Sequence, residues 1–145
     1  MSDHLRRLER LYAAAPINQR FESRLSLPSA GRSAIDFDVT EAVYHAAGAA
    51  HGTIYFKMLD DAAFYAANSM VEDVFLLTTQ FNLFLTRPVH AGPLRTHGQW
   101  VSGRRRVLIA ESRILDAEGE EVARGQGTFM RSHIVLAGLP GYGDQ

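Results

Sequence analysis

The sequence predicts an α+β fold in which a curled antiparallel sheet holds one long buried helix, and three features of the chain carry that prediction. Residues 53–70 form an apolar run too long for a buried strand, rich in Ala, Leu, Met and Phe and charged only at Lys57, Asp60 and Asp61. Ala34-Ile35-Asp36-Phe37-Asp38-Val39, ahead of it, alternates apolar with polar, the period of a half-buried strand. From Asp73 to His133, stretches rich in β-branched and aromatic residues follow one another, broken by turns containing Gly or Pro. One strand, a long helix and then a meander of strands imply a sheet wrapped around that helix.

Taken in order, Leu5, Leu8, Leu11 and Tyr12 recur at helical spacing, so Ser2 to Ala15 is expected to be an amphipathic helix that packs across the sheet and stops before Pro16. Between Phe21 and Ser33, Pro28, Gly31 and several serines mark a turn between two extended pieces. Tyr44 is expected to continue the strand that starts at Ala34. After the helix, Asp73–Thr86 and Leu94–Ser102 read as strands and as neighbours, joined through His90-Ala91-Gly92-Pro93. Arg106–Leu115 and Glu121–His133 are two more, joined by a hairpin at Asp116-Ala117-Glu118-Gly119. Residues 1–136 are expected to form a single domain, and the Gly-rich residues 137–145 a flexible tail.

Size and composition bound the function. A chain of 145 residues is one domain long, with 46% hydrophobic and 21% charged residues, an ordinary globular balance. A net charge of -1 argues against nucleic acid or an anionic membrane as partner and for a small molecule or a protein. With no cysteine there is no disulfide, thiolate nucleophile or thiolate metal ligand, which suits a reducing compartment. The charged N-terminus lacks the apolar core of a signal peptide, and no run reaches membrane-spanning length, so a cytoplasmic location is expected.

The most informative stretch runs from His45 through His51-Gly52 into the long helix. Backbone N–H groups in a helix's first turn lack intrahelical partners and sit at the positive end of its dipole, so the turn at His51-Gly52 suits an oxyanion or a polarised carbonyl. Asp60 follows two and a half turns on. Asp60 and Asp61 point about 100° apart, so only one faces any given site. Thr78 and Thr79 face opposite sides of their strand, so again only one serves a site. His51 has two open readings, a brace for its loop or a proton carrier. Arg104-Arg105-Arg106 is either a solvated hairpin end or, with Arg87, a set of guanidinium forks for phosphate. Phe56, Met58, Phe64, Phe81 and Phe84 read most economically as core.

The order of elements, with Gly48-Ala49-Ala50-His51-Gly52 and the following Leu59-Asp60-Asp61-Ala62, resembles the hotdog-fold thioesterase superfamily, in its PaaI-like (phenylacetate-pathway) branch. Phe81-Asn82-Leu83-Phe84-Leu85-Thr86-Arg87-Pro88, Gly92 and Ala123-Arg124-Gly125-Gln126-Gly127-Thr128 extend the resemblance over about residues 35–130. It implies a homodimer, often a tetramer, with acyl-CoA or acyl-carrier thioester sites at the subunit interface, no cofactor beyond the coenzyme A of the substrate, and no metal. By position, Gly52 would polarise the thioester carbonyl through its N–H, Asp60 would activate water or attack directly, and Thr78 would supply a hydroxyl from the neighbouring subunit. Two departures stand out. His45 occupies a position where the family commonly has Asn, and Gly52-Thr53 replaces Gly-Gly, leaving a further N–H at Thr53. Those departures motivate an alternative, a hotdog protein that binds acyl thioesters without cleaving them. A hydratase or dehydratase of the same fold ranks behind both.

Overall fold

A computed structural model describes residues 2–143 of the chain. The N-terminal helix α1 (Ser2–Ala14) ends two residues before Pro16, and after Ala15 the chain starts a short second helix, α2 (Pro16–Phe21). Proline has no N–H to donate and its fixed φ suits the first position of a helix, so Pro16 opens α2 as well as closing α1. Leu5, Leu8, Leu11 and Tyr12 are all buried, and the Tyr12 ring meets Tyr65 edge-on at 5.3 Å between centroids. The stripe that predicted the helix is the face that packs.

Strands β1 (Arg24–Ser29) and β2 (Arg32–Val39) form the hairpin expected from the turn residues. Tyr44 does not continue β2. A 3-10 turn at Glu41–Val43 redirects the chain, and Tyr44 makes a single antiparallel bridge to Ala50, closing a loop just ahead of the central helix. Helix α3 (Gly52–Asn68) is buried along most of its length, with Met58, Leu59, Ala62 and Ala63 fully enclosed.

The remaining strands are β3 (Val74–Leu85), β4 (Gly92–Ser102), β5 (Val107–Leu115) and β6 (Glu121–Val135). All pair antiparallel in one six-stranded sheet, in the order β1-β2-β4-β5-β6-β3. β3 and β4 are therefore not neighbours. β4 fits between β2 and β5, while β3 lies at the far edge on β6. The connection between them crosses the start of α3, where Val89 O accepts from Ala50 N at 2.8 Å and Arg87 O accepts from the Tyr55 hydroxyl at 2.7 Å. Those bonds tie it to the loop before α3 instead of closing a hairpin.

The sheet grips α3 through polar as well as apolar contacts. Ser112 Oγ donates to Leu59 O at 2.7 Å and Ser33 Oγ to Ala62 O at 2.6 Å, both buried. At Gly98 the approach is so close that a Cβ would lie 2.2 Å from Ala62 O, so any side chain there would force α3 off its seat. In β3 one extra residue, Thr79, is inserted where Thr78 pairs Phe129 and Gln80 pairs Thr128, a β-bulge.

Residues 137–143 pack against the N-terminal helix where a loose tail is expected. Tyr142 is buried and its hydroxyl donates to His4 Nδ1 at 2.8 Å, while His4 Nε2 donates to Asn68 O at 3.0 Å and an Arg7 guanidinium nitrogen donates to Tyr142 O at 3.0 Å. Tyr142, with Leu139 packed partly buried against the core, anchors this Gly-rich segment. Residues 144 and 145 lie outside the described part of the chain.

Candidate active site

The loop of residues 43–52 is built by local hydrogen bonds that use two imidazoles as acceptors. His45 N donates to Ala49 O at 2.8 Å, Gly48 N to His45 O at 3.0 Å and Ala47 N to His45 Nδ1 at 3.0 Å. That last bond, from a side chain to the backbone two residues on, is the one an Asn side chain makes in an Asx turn, so the His in place of Asn keeps the turn's geometry. His90 Nδ1 donates to Gly48 O at 3.1 Å from the β3–β4 connection. His51, with φ -67 and ψ 147, is the N-cap of α3, and its Nδ1 accepts from Thr53 N at 3.0 Å. An Nδ1 that accepts from an amide carries no proton, so the neutral ring holds its hydrogen on Nε2.

These bonds leave one donor over. Of the N–H groups at the start of α3, His51 N goes to Val43 O, Thr53 N to His51 Nδ1 and Ile54 N to His51 O. Among the described residues the Gly52 N–H has no acceptor. The further N–H expected at Thr53 is not available, because the cap has taken it. Gly52 has no side chain to shield its donor, and the nearest atom a Cβ would meet is Leu85 Cδ1 at 3.6 Å.

From Gly52 a face of α3 runs along the edge strand as three rungs. Gly52 faces Leu85; Phe56, one turn on, meets Phe81 edge-on at 5.7 Å; Asp60, a further turn on, accepts from the Thr78 hydroxyl at 2.9 Å. The Phe81 ring lies over β6 at Gly125 and Gly127, where a Cβ would come within 2.6 and 2.4 Å of it. This is a physical reason for the Gly-x-Gly of that strand. Phe56 is 41% exposed, so the middle rung is open to solvent, not core.

Asp60 is partly buried, and burial pushes its carboxyl up to about 6. The Thr78 hydroxyl opposes that rise, Asp61 adds to it and Lys57 opposes it. Asp61 points away from the rungs. It accepts from Lys57 Nζ at 2.5 Å, and Lys57 also donates to Asn18 Oδ1 at 2.5 Å and lies 5.5 and 5.6 Å from the ring centres of Tyr12 and Phe21. Burial raises the Asp61 carboxyl as well, against the pull of Lys57. The two adjacent carboxylates thus serve different places, Asp60 the β3 edge and Asp61 the seat of α1 and α2.

Of the expected site residues, Asp60 and Thr78 touch within one chain, so Thr78 need not come from a neighbour to reach this carboxylate. Gly52 and Asp60 do not meet: eight residues of helix separate them by about 12 Å. The arginines also divide. Arg87 sits by the start of α3, 3.5 Å from Glu120, whereas Arg104, Arg105 and Arg106 occupy the β4–β5 turn at the opposite end of the sheet, with Arg104 5.5 Å from the Trp100 ring centre. Among the described residues no three His, Asp or Glu side chains converge as metal ligands. Sequence reasoning missed the Lys57–Asp61 pair as a unit, although its i, i+4 spacing was a usable signal. It also missed His90, which local sequence could not place beside Gly48.

A single long helix wrapped by a six-stranded antiparallel sheet defines this as a hotdog fold, and a capped helix start with a free N–H and a carboxylate on the same helix face is the site it presents. Residues 47–123 match the Thioesterase superfamily, and the chain belongs to that family. The fold is that of the Escherichia coli PaaI protein of the phenylacetic acid degradation operon, with a TM-score of 0.84 at 18% identity over 92% of this chain and 96% of that one. A phenylacetic acid degradation-related protein of Ralstonia eutropha superposes with a TM-score of 0.75 at 24% identity, covering 86% of this chain and 98% of the other. A Haemophilus influenzae thioesterase gives 0.77 at 15% identity, over 87% and 88%. Among curated protein sequences none matches this chain. No helix among the described residues is long and apolar enough to cross a membrane.

Proposed function

We propose that this chain is a cytoplasmic acyl-CoA thioesterase that works as a homodimer with two composite sites, each using the Gly52 N–H of one copy and Asp60 of the partner subunit. The observation that carries this reading is the separation of the two groups. A thioester carbonyl and its attacking water lie within about 3 Å of the groups that act on them, and 12 Å of helix is too far for one chain to supply both. A two-fold axis at the Phe56–Phe81 rung, midway between Gly52 and Asp60, brings each N–H opposite the other copy's carboxylate. β3 is the edge strand there, with its outer backbone groups unpaired and Leu77, Phe84 and Leu85 exposed, and antiparallel pairing with a second β3 satisfies that edge.

In this arrangement the carbonyl oxygen accepts from Gly52 N–H at the positive end of α3, and gains charge there as the tetrahedral intermediate forms. The Asp60 carboxylate removes a proton from water as the water oxygen bonds to the carbonyl carbon. Collapse breaks the carbon–sulfur bond, and the departing thiolate takes that proton back, so water and thioester become acid and thiol. Thr78 occupies Oδ1 of Asp60 and leaves the other carboxylate oxygen for the water. A base near 6 is largely ionised at neutral pH yet more basic than an ordinary carboxylate, which suits this role. His51 acts here as the cap that frees Gly52, and His45 as the acceptor that shapes the turn. Arg87 of one copy and Arg104, Arg105 and Arg106 of the other are assigned to the phosphates of coenzyme A, because the same two-fold axis brings opposite ends of the two chains together.

The test uses two inactive variants. Gly52→Pro removes the free N–H at a position where helices accept proline, after a residue whose extended ψ also accepts it. Asp60→Asn removes the base. Each alone should lose thiol release from acyl-CoA, whereas co-expressed chains should regain about a quarter of wild-type activity, since half of the dimers are mixed and each mixed dimer holds one intact site. Mixed dimers that stay inactive would overturn the composite site. Full activity of Asp60→Asn alone would overturn the mechanism.

A further inference from the structure

The start of α3 has two flanks of different character. On one run the rungs along β3; on the other, an open cleft of about 780 Å³ lies between the end of α2, the end of β2 with the loop that follows it, and the first turn of α3. His51 and Thr53, the residues either side of Gly52, both line this cleft. So does Ile54, which points about 200° around the helix from Gly52, so the cleft flanks α3 on the side away from β3. Nothing in the chemistry of Gly52 and Asp60 fills it.

The floor of the cleft is apolar and held in place. Phe37 and Ile54 are buried, with Phe21, Val43 and Tyr44 half-buried around them. The Phe21 and Phe37 rings meet edge-on at 6.1 Å, and Lys57 Nζ, bonded to Asp61 and Asn18, lies 5.6 Å from the Phe21 ring centre. Helix α2 ends on Glu22 at φ 57, a left-handed conformation that glycine usually supplies, and the chain turns there directly after Phe21. The rim is polar: Arg20, Glu22, Asp38 and Thr40 are exposed along it, two carboxylates against one guanidinium. That balance disfavours the phosphates of coenzyme A and leaves the apolar floor for the other arm of a thioester. The volume lies within the range of small-molecule sites and has room for a chain of several carbons.

We propose that this cleft takes the acyl group of the substrate, that the acyl group is an apolar chain, and that Thr40 and Ala42 on the outer wall set the length accepted. The carbonyl is fixed at Gly52, the chain enters past His51 and Thr53, and its methylenes lie on Phe21 and Phe37. Ala42, in the 3-10 turn, gives the wall only a methyl group, so the width of the cleft depends on it. The assignment rests on the thioesterase reading for its anchor at Gly52 and adds to it the chemical class of the acyl group.

Thiol release by the full chain from acetyl-, butanoyl-, hexanoyl- and octanoyl-CoA tests the assignment. In the wild type kcat/KM should rise about threefold with each methylene until the floor is filled. Ala42→Trp, at an exposed turn position, should lower the octanoyl-to-acetyl ratio of kcat/KM about tenfold or more, through KM more than kcat. Thr40→Trp, on the same wall, should do the same, so that loss of the fold in one variant leaves the other to decide. Ile17→Trp puts the same bulk on α2 outside the cleft and should leave the ratio unchanged. Calorimetry with octanoate reads the cleft without catalysis: the wild type should bind it, and Ala42→Trp about fivefold or more weakly. An unaltered ratio in both wall variants would overturn the assignment. So would wall variants that weaken free coenzyme A as an inhibitor and leave the ratio alone, which would put the pantetheine arm in the cleft. A wild type that cleaves none of the four thioesters overturns the thioesterase reading itself; octanoate binding weakened by Ala42→Trp would then keep the cleft as an acyl site, and absent or unaltered binding would overturn that as well.

Discussion

Asp60 shows how a single residue trades stability for reactivity. Its folded value of about 6 lies above the ordinary 3.8, so ionising it opposes folding. The penalty is absent below 3.8, grows as pH rises through 6 and is fully present at neutral pH. Asp60→Asn, which keeps an acceptor for Thr78, should therefore stabilise the fold by about 1–3 kcal/mol at pH 7 and leave it nearly unchanged near pH 4. Denaturant titrations at the two pH values measure this, and equal effects at both would contradict it. In the wild type, turnover should fall tenfold per pH unit well below about 6 as the base is protonated. The acid, the glycine and both histidines stood out from the sequence because the loop-to-helix pattern is local. What each histidine does was not legible, since an imidazole that caps and one that carries a proton look alike until their partners are in place.

At the scale of elements, periodicity located α1, α3 and the strands, because burial on one face leaves a mark on neighbouring residues. Sheet order left no such mark. β3 pairs with β6, some fifty residues away, and only the finished sheet shows why β4 and not β3 lies beside β5. The same applies to α2, a one-and-a-half-turn helix too short to display a period. Within β4, Thr96 is 1% exposed and its hydroxyl is the one buried side-chain polar atom among the described residues without a partner. Thr96→Val replaces that hydroxyl by a methyl of similar size, and should stabilise the fold by about 1 kcal/mol. A loss of a kcal/mol or more in chemical unfolding would show that the hydroxyl has a partner after all.

For the molecule as a whole, the proposed thioesterase is incomplete as one chain. Its two half-sites face away along α3, and the edge that joins them to a second copy is apolar and unpaired. Activity per chain should hold constant at high concentration and fall in proportion to concentration once the protein is diluted below its dimer dissociation constant. Initial rates over a dilution series, set beside sedimentation, measure this; a rate per chain that stays constant into the monomer range would refute it. Composition fixed the size and charge class of the molecule, and helix spacing alone held the 12 Å that separates Gly52 from Asp60. That His97, Arg113 and Arg124 face one another was invisible in the chain, because they come from three strands and meet only through register.

The bulge at Thr79 sets the phase of β3. On its N-terminal side Leu76 and Thr78 face inward; beyond it Phe81, Leu83 and Leu85 do, an interval of three instead of two. A chain lacking Thr79 alone would restore strict alternation and keep every one of those side chains on its present side, whereas loss of Thr78 or Gln80 would force the bulge to move or turn half the strand inside out. Relatives one residue shorter here therefore align with this chain only when the gap is placed at 79.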